Sequence, residues 1–215
     1  MRKVLLTGFD PFGGEAVNPA WEAVSRIQHR TYDEFEVEVR QIPTAFRTSL
    51  SVLRQAVLVA KPDVVICVGQ AGGRSDIAVE RVAINLDDAR IADNEGHQPI
   101  DEPIVLEGPA AYWSTLPVKA IAARLREAGI PAAVSHTAGT FVCNHVFYGL
   151  QHMLATEFPA VRGGFVHIPF LPAQTVERPH TPSMSLDVMV RAIEIAACAS
   201  VQYDRDISAA EGQLH

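Results

Sequence analysis

A thiol, an imidazole and a carboxylate can together run nucleophilic catalysis at a carbonyl, provided the chain folds so that they meet. This sequence offers one of each in a suggestive setting: Cys143, His167 and Glu80. Cys143 lies in Ser135-His136-Thr137-Ala138-Gly139-Thr140-Phe141-Val142-Cys143-Asn144-His145. An apolar strand (130–134) leads into that stretch, a turn of small residues follows, and a helix-like run (144–155) leads out. The thiol therefore sits at or near a helix N-terminus, where unpaired backbone N–H groups and the helix dipole stabilise negative charge. The competing reading is a small apolar residue at a strand–helix junction.

His145 and His152 follow Cys143 closely, but neither is in phase with it. Positions two apart on a helix do not face each other, and nine residues is half a turn off. Both read as helix-surface or core-edge histidines. His167 ends the apolar run Gly164-Phe165-Val166-His167-Ile168-Pro169-Phe170 and must find a hydrogen-bond partner there. It is the better candidate base, against a satisfied core histidine. Glu80 lies in Ile77-Ala78-Val79-Glu80-Arg81-Val82-Ala83-Ile84, on the strand face shared with Ala78, Val82 and Ile84. A carboxylate on such a face needs a partner, which an imidazole supplies. Arg81 points the other way, so the competing partners are Arg74, Arg90 and Arg124. Arg90, in Asp87-Asp88-Ala89-Arg90-Ile91-Ala92-Asp93, is a candidate to hold an oxyanion, against a surface ion pair with Asp87, Asp88 or Asp93.

The elements that must position these groups alternate along the chain. Strands are expected at 3–7, 36–42, 64–68, 76–84, 130–134 and 163–168. Helices are expected at 19–28 with Asn18 as N-cap, from Pro43 to Ala60, at 117–128, at 144–155, and from a Ser183 or Ser185 cap to Ser200. Residues 85–109 and 172–182 read as loops, and the tail after Tyr203 as frayed. Such alternation specifies one α/β domain over residues 1–215: a three-layer αβα sandwich with a largely parallel, mixed sheet and helices on both faces. Ligand sites in such sheets form at C-terminal strand ends. Phe9, Phe12, Gln70 and Cys143 all follow strands, and His167 ends one.

The chain has 215 residues, ample for a core without disulfides or metals. A net charge of −7 argues against nucleic acid and anionic membranes as partners. The three cysteines, Cys67, Cys143 and Cys198, are odd in number and irregularly spaced. That fits a reducing, cytoplasmic setting, as does an N-terminal apolar run too short for a secretory signal. Cys67 reads as core, and Cys198 as core or interface. Gly13-Gly14 and Gly72-Gly73 lack the residues of a phosphate loop, and no zinc or calcium motif is present, so neither metal nor cofactor is expected.

The sequence resembles the pyroglutamyl peptidase I family of cysteine exopeptidases. Gly69-Gln70-Ala71-Gly72-Gly73-Arg74 through Glu80-Arg81-Val82-Ala83-Ile84-Asn85, and Ser135 through Asn144, carry the resemblance. Thr7-Gly8-Phe9-Asp10-Pro11-Phe12-Gly13-Gly14 and Phe165-Val166-His167-Ile168-Pro169 extend it, so that it spans residues 4–197. Ala78 departs from the family's usual Ser or Thr. The resemblance implies a Glu80–Cys143–His167 triad, which agrees with the reading from phase and burial. It also implies removal of an N-terminal pyroglutamyl residue from peptides, and a homo-oligomer such as a tetramer. On this basis the Cys143 backbone N–H and Arg90 are the oxyanion candidates. Phe9, Phe12, Phe141 and Val142 are candidate pocket walls, and Gln70 and Asn18 are candidate partners of the lactam N–H and C=O. Two other readings use the same fold: a lactam-binding protein without catalysis, and a nucleoside- or phosphate-binding enzyme. The sequence offers no basic phosphate cradle for the latter.

Overall fold

The computed structural model describes residues 1–28 and 30–212. Its centre is a six-stranded sheet, with strands in the order β2-β1-β3-β8-β4-β7. They are β1 (Arg2–Phe9), β2 (Phe35–Ile42), β3 (Val64–Gln70), β4 (Ile77–Glu80), β7 (Ala132–Ser135) and β8 (Arg162–Ile168). Four of these are parallel, while β4 and β7 run against β8. The cause is the short connection 71–76. It is too short for a crossover, so the chain returns antiparallel, beyond the slot that β8 fills.

Strand alternation divides the core into two layers. Val4, Leu6, Val64, Ile66, Val68, Val166 and Ile168 face α1 (Pro19–Ser25), α3 (Val118–Glu127) and α6 (Leu186–Gln202). Leu5, Phe9, Val65, Cys67 and Phe165 face α2 (Ser49–Ala60) and α4 (Val142–Thr156). The expected three-layer arrangement with a mixed sheet is the one present. Ile77 and Val79 belong to the first layer. Glu80, of opposite parity, therefore turns toward the second, as do His167 and the α4 layer itself.

Four local expectations are corrected. The helix expected from Pro43 begins only at Ser49, and the backbone ahead of it is held by side chains from other segments. Thr44 N–H donates to Asp10 Oδ1 at 2.7 Å, and Phe46 N–H to Asp93 Oδ2 at 2.8 Å. The strand expected over 76–84 breaks at Arg81. Its second half, β5 (Val82–Ile84), leaves the sheet to pair with β6 (Ala111–Trp113), inside a stretch without strand periodicity. Residues 172–182 include the one-turn helix α5 (Pro172–Thr175).

The tail, expected to fray beyond Tyr203, is instead tied to α3 as far as it is described; residues 213–215 lie outside the described residues. Asp206 accepts from Lys119 N–H and Ala120 N–H, both at 3.0 Å. Pro117, at the N-cap position, supplies no side-chain cap, so Asp206 takes that role from a distance. Lys119 Nζ donates to the Ala209 carbonyl, and Arg126 pairs with Glu211. No helix of the described residues is long and apolar enough to cross a membrane. Removing the remote cap with Asp206→Ala should cost about 1 kcal/mol. Urea unfolding should show this as a lower midpoint with an unchanged slope.

Candidate active site

The site assembles on the sheet face covered by α4. His167 is the penultimate residue of β8 and is 4% exposed; Glu80 ends β4 and is 0% exposed. In the antiparallel register Ala78 lies opposite His167 and Glu80 opposite Phe165. Glu80 and His167 are thus diagonal neighbours on one face, within reach for long side chains. His167 Nδ1 and Glu80 Oε1 are 2.8 Å apart. A carboxylate only accepts, so Nδ1 carries the hydrogen, and Nε2 is left for another partner.

Cys143 is the neighbour whose influence on the His167 ring is the largest of those that favour its charged form. Cys143 is the second residue of α4 and is partly exposed. The segment 136–141 carries the chain from the end of β7 to the C-terminal end of β3. Gly139 takes φ +78° within it, where a Cβ would be strained. Gly69, opposite His167 on the neighbouring strand, makes room for the thiol. A Cβ there would lie 2.9 Å from Cys143 Sγ and 2.8 Å from the Phe165 ring. Phe141 occupies the N-cap position without a side-chain cap, so no capping side chain competes for the N–H groups of the first helical turn.

Burial opposes charge on His167, but the Cys143 charge and hydrogen bond, then the hydrogen bond and charge of Glu80, outweigh it. The ring's pKa is raised to about 9. Arg74 stands behind Glu80, with Nη1 at 3.6 Å from Oε1, and also donates to the Thr137 carbonyl at 3.3 Å. Of the three arginines that could compete for Glu80, Arg74 is therefore the one nearby, and it ties the carboxylate to the 136–141 segment. Cys67 is fully buried, and desolvation first of all pushes its thiol up to about 12, which fits a core role.

The model of the pyroglutamyl peptidase family matches residues 2–203. The chain belongs to the pyroglutamyl peptidase family. It is 58% identical over 214 residues to the pyrrolidone-carboxylate peptidase of Bacillus subtilis (strain 168), covering 100% of this chain and 99% of that protein. A crystal structure of Bacillus amyloliquefaciens pyroglutamyl peptidase I is similar at TM-score 0.94 and 55% identity, over 96% of this chain and 100% of that one. The pyrrolidone carboxyl peptidase from Thermococcus litoralis is similar at TM-score 0.94 and 40% identity, over 98% of this chain and 100% of that one.

The other residues that the sequence connected with this family lie around the same strand ends, in unequal settings. Phe12 and Phe141 are partly exposed, with ring centroids 6.1 Å apart. Phe9 is 2% exposed against Phe165, and Val142 is 0% exposed; both pack in the core layer of α4. Asn18 is buried and already employed. Its Oδ1 caps α1 through Ala20 N–H at 3.0 Å, and its Nδ2 donates to the Asp10 carbonyl at 2.9 Å. One hydrogen and one lone pair of that amide remain. Gln70 Oε1 accepts from Gln174 Nε2 at 3.0 Å, leaving its own NH2 unspent in that bond. Arg90 is exposed and makes no ion pair among the described residues. Two of its three expected competitors are engaged elsewhere: Asp87 with His145, and Asp93 with the N–H groups of Phe46, Glu95 and His97.

Sequence reasoning missed the residues that hold this frame. Asn144 accepts from Ile84 N–H at 3.1 Å and donates to the Ile84 and Leu86 carbonyls at 2.9 and 3.0 Å. The only trace of this in the sequence is a polar pair, Asn144-His145, in an otherwise apolar helix start. Of the two settings expected for His145, helix surface or core edge, the structure has the core edge. It is 7% exposed, and its Nδ1 lies 2.8 Å from Asp87 Oδ2.

In an NMR titration His167 should change protonation near pH 9. In Cys143→Ala the transition should move to lower pH, because the larger favourable influence is gone. A folded pKa above the unfolded value of about 6.5 contributes stability below that pH. The contribution is lost as pH rises through about 9. The decline in urea midpoint over that window should therefore be smaller in His167→Gln.

Proposed function

We propose that this protein is a cysteine exopeptidase that hydrolyses the bond after an N-terminal pyroglutamyl residue of peptides, with Cys143 as nucleophile, His167 as base and Glu80 as the group that orients it. What supports the roles most is the His167 Nδ1–Glu80 Oε1 contact of 2.8 Å, which leaves Nε2 for the thiol. Family membership supports the substrate class.

In this reading His167 takes the Cys143 proton, and the buried Glu80 carboxylate stabilises the imidazolium. The thiolate attacks the carbonyl that follows the lactam ring. The charge that develops on its oxygen is met by the Cys143 backbone N–H in the first turn of α4, and by Arg90. His167 then protonates the departing peptide amine, and the C–N bond breaks to leave a thioester. Water, activated by the same imidazole, hydrolyses the thioester, and pyroglutamate leaves. No cofactor enters this sequence.

The lactam is small, flat and uncharged, so its pocket needs apolar walls and a few polar partners. Polar partners give the stronger discrimination, because an analogue that lacks their counterpart leaves them unpaired. Phe12 and Phe141 supply partly exposed walls, with Phe9 and Val142 packed behind. Gln70, through its unspent NH2, and Asn18, through its remaining hydrogen and lone pair, supply the polar contacts. We further assign the protein to the cytoplasm as a homo-oligomer, with neither nucleic acid nor membrane as partner.

Cys143→Ala and Cys143→Ser should lose turnover of a pyroglutamyl-anilide reporter by at least about 1,000-fold while keeping the wild-type circular dichroism. Lactam binding by a wild-type protein without turnover would instead establish the non-catalytic binder. Glu80→Gln should lower kcat by about 100-fold or more, because a neutral amide no longer stabilises the imidazolium.

A further inference from the structure

A second buried histidine–carboxylate pair lies close to the first and has no part in the chemistry above. His145 Nδ1 and Asp87 Oδ2 are 2.8 Å apart, with the side chains 9% and 8% exposed. The second atoms, His145 Nε2 and Asp87 Oδ1, are buried and have no hydrogen-bond partner. Both residues line a cleft of about 430 Å³ with Phe46, Arg47, His97 and Glu102, and Cys143 is not among its lining residues. Two residues apart at the start of α4, Cys143 and His145 project to different sides of the helix. His145 is therefore too far round the helix to act on the thiol.

What the pair does is join two segments. One runs from Ile84 to Arg90, and the other is the start of α4. Around it, Asn144 bonds Ile84 and Leu86, Asp88 N–H donates to the Thr140 carbonyl at 2.9 Å, and Thr140 Oγ1 donates to the Asp88 carbonyl at 2.7 Å. Asp87 also exchanges backbone hydrogen bonds with Glu102, at 2.7 and 3.0 Å. These two segments carry the two groups assigned to the oxyanion. Arg90 follows Asp87 by three residues, and the Cys143 N–H precedes His145 by two.

The geometry points to Asp87 and His145 as positioning residues for the oxyanion side of the reaction: their buried bond sets where Arg90 and the Cys143 N–H stand relative to each other. This rests on the proposed peptidase activity. A buried bond suits the task because a buried carboxylate that loses its partner is costly, so the two segments do not drift apart. Among the described residues the exposed Arg90 has no ion pair to fix it, and its position follows from the backbone that carries it.

The test separates oxyanion stabilisation from nucleophile competence. Alkylation of Cys143 by iodoacetamide is displacement at a saturated carbon and forms no oxyanion, whereas reporter hydrolysis does. His145→Leu keeps bulk and removes the donor. Its kcat should fall about 100-fold, the scale of misplacing a reacting group by an ångström, with KM and the alkylation rate close to wild type. His145→Asn, whose amide N–H can take the place of Nδ1–H, should restore most of kcat. If His145→Leu does not fold, His145→Gln carries the same expectation, since its amide mimics Nε2 and misses Asp87. Unchanged kcat, or kcat and alkylation falling together, would overturn the inference. An inactive wild-type enzyme would instead overturn the peptidase reading itself.

Discussion

Glu80 has no solvent exposure, and a carboxylate so placed has to be compensated by its surroundings. The frame of the site follows from how that need is met at Oε1, while Oε2 is buried without a hydrogen-bond partner. The imidazole of His167 supplies one hydrogen bond, and the Arg74 guanidinium stands nearby at 3.6 Å. The arrangement fixes the tautomer of His167 and the direction of its free nitrogen. It also requires β4 to lie beside β8 in one register, because a slip by one residue would turn Glu80 to the other face.

The sheet's mixed direction serves the same end. Had β4 run parallel to β8, its last residue would lie level with the end of that strand. Running antiparallel, β4 sets Glu80 opposite Phe165, diagonally across from His167. The helix that brings the thiol comes from a strand running the same way as β4, so the chain must cross to the end of β3 before α4 begins. Gly139 lets it turn, and Gly69 leaves room for the sulfur at arrival. Neither glycine does chemistry, yet a side chain on either would oppose the placement of Cys143.

The α4 N-terminus is held from three sides. The sheet packs beneath it, Asn144 bonds β5 and the residue that follows Asn85, and His145 reaches Asp87. Such fixation matters because preorganised donors need no reorganisation when charge develops in front of them. The same logic places Asp93, whose three backbone contacts hold the 93–97 turn and Phe46, behind the aromatic rings of Phe46 and Phe141.

Much of this was legible in the amino-acid order. Period-two patterning located the strands, 3.6-residue patterning the helices, and their alternation the three layers. Phase excluded His145 as a partner of Cys143, and strand parity put Glu80 on the apolar side, since both are local properties of backbone geometry. What the order did not reveal are contacts between segments far apart in the chain. Asp93 holding the backbone at Phe46, Asp206 capping α3, β6 pairing with β5, and Asp87 pairing with His145 each depend on which segments meet. Local patterning constrains which face a side chain occupies; only the packed tertiary structure decides which neighbour shares that face, because the neighbour is chosen by the burial and hydrogen-bond satisfaction of the whole chain at once.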